Sequence, residues 1–147
     1  MVALIILILR QGNRLINYIL LKTYCVPRLL YGCEIWPLET THIHKLDVIW
    51  NNGFRCIFDC CWRDNVKPLE FFCKSLPFSY LIDERQHISF NKLQHTDNPI
   101  LRTLFHLPTV KYEILGLAAK YGPNGVQGNL SAMKDCVWTC FVQKVRF

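Results

Sequence analysis

Residues 41–61, THIHKLDVIWNNGFRCIFDCC, decide the fold class. Ile43, Leu46, Ile49, Trp50, Phe54, Ile57, Phe58 and Cys61 follow one another by three or four residues, or sit beside such a step. At a helical period of about 3.6 they fill one broad face, while His44, Asn51, Asn52 and Arg55 fall together on the other side. A strand would alternate, and the path from Trp50 to Phe54 to Ile57 breaks alternation. The segment is an amphipathic helix, with the hydroxyl of Thr40 or Thr41 expected as its N-terminal cap.

Working outward, Leu15, Ile16, Ile19, Leu20, Tyr24 and Cys25 predict a helix over 13–33. Pro27 removes an amide donor there, which predicts a kink with Val26 pushed toward extended geometry. On the other side, Arg63, Asp64 and Asn65 mark a turn before a short helix over 68–75 that Pro77 ends. Ser79 is expected to cap a helix through Gln94, with Leu81, Ile82, Ile88 and Leu93 partly on one face. Asn98 and Pro99 open another short helix to about Leu107. The glycine-rich YGPNGVQGN (121–129) is a loop, and Ser131 is expected to cap a last helix to Phe147. No repeat or low-complexity run is present. The expectation is an all-α, irregular helical domain of about five helices, kinked at Pro27. It comprises an apolar start at 1–12, a helical body at 13–120, a loop at 121–129 and a C-terminal helix at 130–147.

A chain of 147 residues suits one domain with a core of its own. With 51% hydrophobic and 19% charged residues, it is too apolar to be disordered. The net charge of +6 suits a phosphate-rich partner or an anionic membrane surface. The excess lies at the two ends: Arg10, Arg14, Lys22 and Arg28 stand against Glu34, and six basic residues after position 100 stand against Glu113 and Asp135. Between 38 and 100, seven basic residues meet eight acidic ones. The eight cysteines lie mostly in apolar runs, which reads as reduced core thiols rather than a disulfide scaffold. The opening MVALIILIL is far shorter than the roughly 20 apolar residues a bilayer span needs, and it has no preceding basic segment as a secretory signal would. Its abrupt apolar start fits a truncation junction.

Few motifs carry chemistry. Metal-assisted phosphoryl transfer requires carboxylates converging on cations, and the adjacent Asp83 and Glu84 would point about 100° apart on a helix. That pair reads as a complement to the helix dipole. No phosphate-cradling Gly-rich loop, Gly-x-Ser-x-Gly elbow or His-Glu-x-x-His helix occurs. Cys56, Cys60, Cys61 and Cys73 cluster, but without a Cys-x-x-Cys pair, and His42 and His44 diverge at a helix start, so no metal site is assigned. Lys22, Arg28 and Arg55 supply positive charge near Tyr24, Tyr31 and Trp36, a pattern suited to backbone phosphates and unpaired bases. Arg63 and Lys67 complete the candidate nucleic-acid-binding set. No catalytic residue and no cofactor is expected.

The run LLKTYCVPRLLYGCEIW (20–36), followed by LDVIWNNGFRCIFDCCWRDNVKPLEFFCKSLPFSYLIDERQ (46–86), resembles a region of non-LTR, LINE-type retrotransposon reverse transcriptases. The likeness covers roughly residues 15 to 95. It is carried by Lys22, Tyr24, Cys25, Pro27, Leu30, Tyr31, Gly32, Glu34, Trp50, Asn51, Phe54, Arg55 and Phe58. In that family such a stretch lies downstream of the polymerase palm, in or just after the thumb. The resemblance implies a helical, template-facing region of an RNA-directed DNA polymerase. The palm's paired aspartates have no counterpart, since no Asp-Asp pair occurs. The expectation is therefore a non-enzymatic, truncated C-terminal portion retaining weak, sequence-independent binding of RNA or DNA, located inside the cell in nucleus or cytoplasm. No small-molecule substrate or membrane insertion is expected, whereas self-association through exposed apolar surface is. The alternative is a peripheral membrane protein anchored through residues 1–21.

Overall fold

The computed structural model describes residues 13–33, 38–122 and 130–145. Of the described residues, 77% are helical and none is in a strand, as expected for an all-α chain. Among them seven helices follow in order. Helix α1 runs Arg14–Leu20, then through a π-helical turn Leu21–Cys25 into Val26–Leu29. The others are α2 (Thr40–Phe58), α3 (Lys67–Phe72), α4 (Phe78–Gln94), α5 (Pro99–Phe105), α6 (Pro108–Tyr121) and α7 (Leu130–Lys144). The chain divides into two compact units, one of residues up to Ser79 together with those from Val145 onward and one of Tyr80–Lys144.

In the first unit, Asn13 caps α1 by accepting from Leu15 N–H at 3.0 Å. Pro27 leaves its mark on the helix in an unforeseen way. Val26 is fully helical (φ −58°, ψ −50°), not extended, and the distortion lies upstream in the π turn. A proline ring collides with the carbonyl four residues before it, and a widened turn on that side relieves the collision without ending the helix. Asn17, Tyr18 and Leu21 face inward, and Gly53 of α2 lets Leu21 approach: a Cβ there would lie 3.2 Å from Leu21 Cδ1.

Helix α2 buries Trp50, Gly53, Phe54 and Ile57, the centre of the expected face, but Val48 and Ile49 are exposed. Its N-cap is Glu39 in extended conformation, with no side-chain cap bond, and Thr41 Oγ1 only donates to Glu39 Oε2 at 3.4 Å. Neither threonine acts as the expected cap. At the other end Asp59 turns left-handed (φ 55°), so the helix stops at Phe58 short of Cys61. The core is aromatic: Phe54 lies 5.3 Å from Trp50, 5.8 Å from Tyr18 and 6.1 Å from Phe58, and Trp50 lies 6.3 Å from Phe78. Burying each such ring contributes roughly 1.5–3 kcal/mol, and favourable ring pairs about 0.5–1.5 more. Tyr18 also donates its hydroxyl to Cys73 O at 3.0 Å, joining α1 to the end of α3.

Helix α3 opens with Pro68 in its first turn, as expected, and left-handed Lys74 (φ 48°) follows its end before Pro77 is reached. Ser79 does not cap α4 but lies inside its first turn, where its own N–H donates to Asp47 Oδ1 of α2 at 3.0 Å. A carboxylate 32 residues away thus satisfies an orphan donor that a local hydroxyl was expected to serve.

In the second unit, Asp83 accepts from Lys120 Nζ and from the Tyr121 hydroxyl, both of α6. Glu84 pairs with Lys134 of α7 at 3.4 Å. The two acids diverge as helical geometry requires, but they sit in the second turn of α4 and tie down separate helices instead of complementing its dipole. The aromatic contacts are Tyr80 with Tyr121 (6.4 Å), Tyr80 with Phe141 (6.1 Å) and Trp138 with Phe141 (5.6 Å). Asn98 caps α5 as expected, accepting from Ile100 N–H at 2.9 Å. Gly122 (φ 81°) ends α6, and the glycine-rich loop beyond it lies outside the described residues. Ser131 follows Leu130 inside α7 and so does not cap it.

Candidate nucleic-acid interface

The five basic residues singled out from sequence all belong to the first unit, where they form two groups. Lys22 and Arg28 lie on α1 with Tyr24, and Tyr31 follows in the turn after it. Both tyrosines are exposed, and Lys22 Nζ stands 6.0 Å from the centre of the Tyr18 ring. Arg28 lies beside Cys25, whose thiol burial holds above the usual range despite that charge. Trp36 and Glu34 lie outside the described residues.

Arg55, Arg63 and Lys67 surround the segment between α2 and α3. Left-handed Asp59 starts it, and Cys60 N–H donates back to Arg55 O at 3.0 Å. Cys61 to Asp64 then form a β-turn closed twice: Asp64 N–H donates to Cys61 O at 3.0 Å, and Cys61 N–H donates to Asp64 Oδ2 at 2.7 Å. Arg55 stiffens it from the helix side, donating Nη2 to Asp64 O at 3.3 Å and Nη1 to Asn52 Oδ1 at 3.0 Å. Asn65 Oδ1 accepts from Lys67 N–H at 3.1 Å and leads the chain into α3. Arg55 is therefore a positioning residue, while Arg63 and Lys67 are exposed on the surface.

The corner residues of that turn are Trp62 and Arg63. Trp62 is 72% exposed, and the Arg63 guanidinium carbon stands 4.7 Å from the ring centre. Sequence reasoning picked out Arg63 and missed Trp62. The available signal was its position: a tryptophan beyond the helical period of 41–61, flanked by Arg63, Asp64 and Asn65, sits where a turn displays side chains instead of burying them.

Beneath this surface lies a buried carboxyl. Glu70 of α3 is 1% exposed, and its pKa is pushed up to about 8 by burial and then by the Asp47 charge, against smaller opposing effects of Lys67 and the Trp50 indole. Neither Glu70 Oε1 nor Trp50 Nε1 makes a hydrogen bond of normal geometry, so the indole acts on the carboxyl through proximity. Burial thus favours the protonated form of the acid and shields it from solvent. In the second unit His87 is also buried, with Nε2 unpaired, and burial lowers its pKa.

Of the eight cysteines only Cys33 is buried; Cys61 is exposed and the others are half-buried, so the expectation of core thiols holds for one. Among the described residues no three His, Cys, Asp or Glu side chains are grouped to hold a metal ion. Comparison with protein-family models, with curated proteins and with solved structures finds no match.

Proposed function

We propose that this chain is a C-terminal, post-palm portion of a LINE-type RNA-directed DNA polymerase, without catalytic chemistry of its own, whose remaining capacity is sequence-independent binding of RNA or DNA. The ordered likeness over residues 15 to 95 supports the origin. The observation that carries the binding activity is the stiffened turn before α3, on which Arg63 is exposed, with Lys67 exposed at the start of α3. Lys22 and Arg28 of α1 are exposed and supply further positive charge. Such cations release condensed counterions from phosphates, which gives affinity without reading sequence.

The test is an anisotropy titration with labelled RNA and DNA at several salt concentrations. Affinity is expected to be independent of sequence and to fall as salt rises, with a logarithmic slope of about −0.7 per phosphate contacted on a single strand. Binding that is absent, or insensitive to salt, removes the proposal.

A second reading has one observation in its favour. Leu15, Ile16 and Ile19 of α1 are all more than half exposed, with Arg14 and Lys22 on the same helix. Among the described residues no helix is long and apolar enough to cross a membrane, but an apolar face with basic neighbours suits attachment to an anionic lipid surface. This reading predicts that the protein floats with phosphatidylserine-containing liposomes and stays behind with neutral ones. Equal behaviour with the two excludes it.

A further inference from the structure

We propose that Trp62 is a base-stacking platform, so that the surface around the Cys61–Asp64 turn takes an unpaired nucleobase of single-stranded RNA or DNA in preference to a duplex. The inference rests on the nucleic-acid reading above and deepens it by naming the form of the strand. Three observations carry it. The indole is exposed where burial would normally stabilise it, with 72% of the residue open to solvent. The turn that carries it is fixed on either side of Trp62 by four hydrogen bonds of its neighbours: two between Cys61 and Asp64, one from Arg55 to Asp64 and one from Cys60 to Arg55. Arg63 lies over the ring at 4.7 Å.

Together these features distinguish a platform from a stray surface residue. A flat ring held on a stiff turn loses little freedom when a second flat ring stacks on it. The guanidinium adds a cation–π contact to the indole and places positive charge where a phosphate attached to the stacked base would lie. Bases within a duplex are already stacked on their neighbours and offer no free face, so the platform selects single strands. Stacking tolerates all four bases because each has a π face, in keeping with sequence-independent binding.

The test uses the full chain and a short DNA single strand carrying one 2-aminopurine, with its duplex as control. Trp62→Ala is expected to weaken single-strand affinity about 5- to 150-fold, the range for loss of one base–aromatic stack. It should leave duplex affinity and the salt slope unchanged, because indole carries no charge. Trp62→Phe is expected to restore most of the affinity and the quenching of 2-aminopurine emission. If Trp62→Ala binds the single strand as the wild type does, the platform is overturned while the nucleic-acid reading stands. Equal losses on single strand and duplex also overturn it, since they would mark a general disturbance of the surface. Absence of any binding by the wild-type chain removes both.

Discussion

Glu70→Gln is expected to stabilise the protein at pH 8 and above and to change little below about pH 4.5. The carboxyl has its ordinary pKa of 4.5 in the unfolded chain and is pushed up to about 8 in the folded one. Below the lower value both states carry the proton, and the group does not disfavour folding. Between the two values the unfolded chain ionises while the folded chain holds its proton in the burial site next to Asp47. The unfolded state then binds fewer protons, so wild-type stability falls as pH rises across this window and levels off above it. At about 1.4 kcal/mol for each pH unit between the two values, the loss approaches an upper bound on the order of 5 kcal/mol. Glutamine keeps the shape and remains neutral, so the variant should lack this slope. Urea midpoints of both proteins from acid to alkaline pH provide the comparison, and every other titrating group is common to the two. Parallel profiles would mean that Glu70 ionises in the folded protein as it does in the unfolded one. Asp47 is part of the cause: its carboxylate is held at the start of α4 by the Ser79 N–H, and its charge opposes a second one at Glu70.

Phe54→Ala is expected to cost about 3–5 kcal/mol, the range for removing a fully buried phenylalanine. The ring has no solvent exposure and is flanked by Trp50, Tyr18 and Phe58, so its loss removes three ring contacts and leaves a cavity. Small domains are stabilised by about 5–15 kcal/mol in total, so one substitution takes a large share. Tyr31→Ala is the control. That ring is 91% exposed, and surface changes of this kind usually stay within about 0.5 kcal/mol. Chemical denaturation followed by circular dichroism reads both. A similar small loss in the two variants would show that α2 does not pack against α1 through this ring.

The helices were legible because half-burial imposes a period. Trp50, Phe54 and Ile57 had to share a face, and the structure buries them together. Local chemistry was equally readable at Asn98 and Pro99, where cap and first-turn residue are adjacent. Ends fixed by backbone conformation were not readable. Cys60 and Cys61 continue the apolar pattern beyond α2, yet left-handed Asp59 has already stopped it. At Pro27 the expected extended geometry of Val26 is absent because a π turn absorbs the ring.

Composition and periodicity alone determined that the chain is helical, where its longest amphipathic segment lies, and that its ends carry the positive excess, since each follows from neighbours in the chain. Which polar side chain meets which partner was decided only in three dimensions. Asp47 reaches Ser79, Asp83 meets Lys120 and Tyr121, and burial raises the pKa of Glu70. Desolvation and pairing depend on distances through space, and those distances are absent from the order of residues. Trp62 shows the same division: its identity stands in the sequence, and its exposure is created by the folded turn.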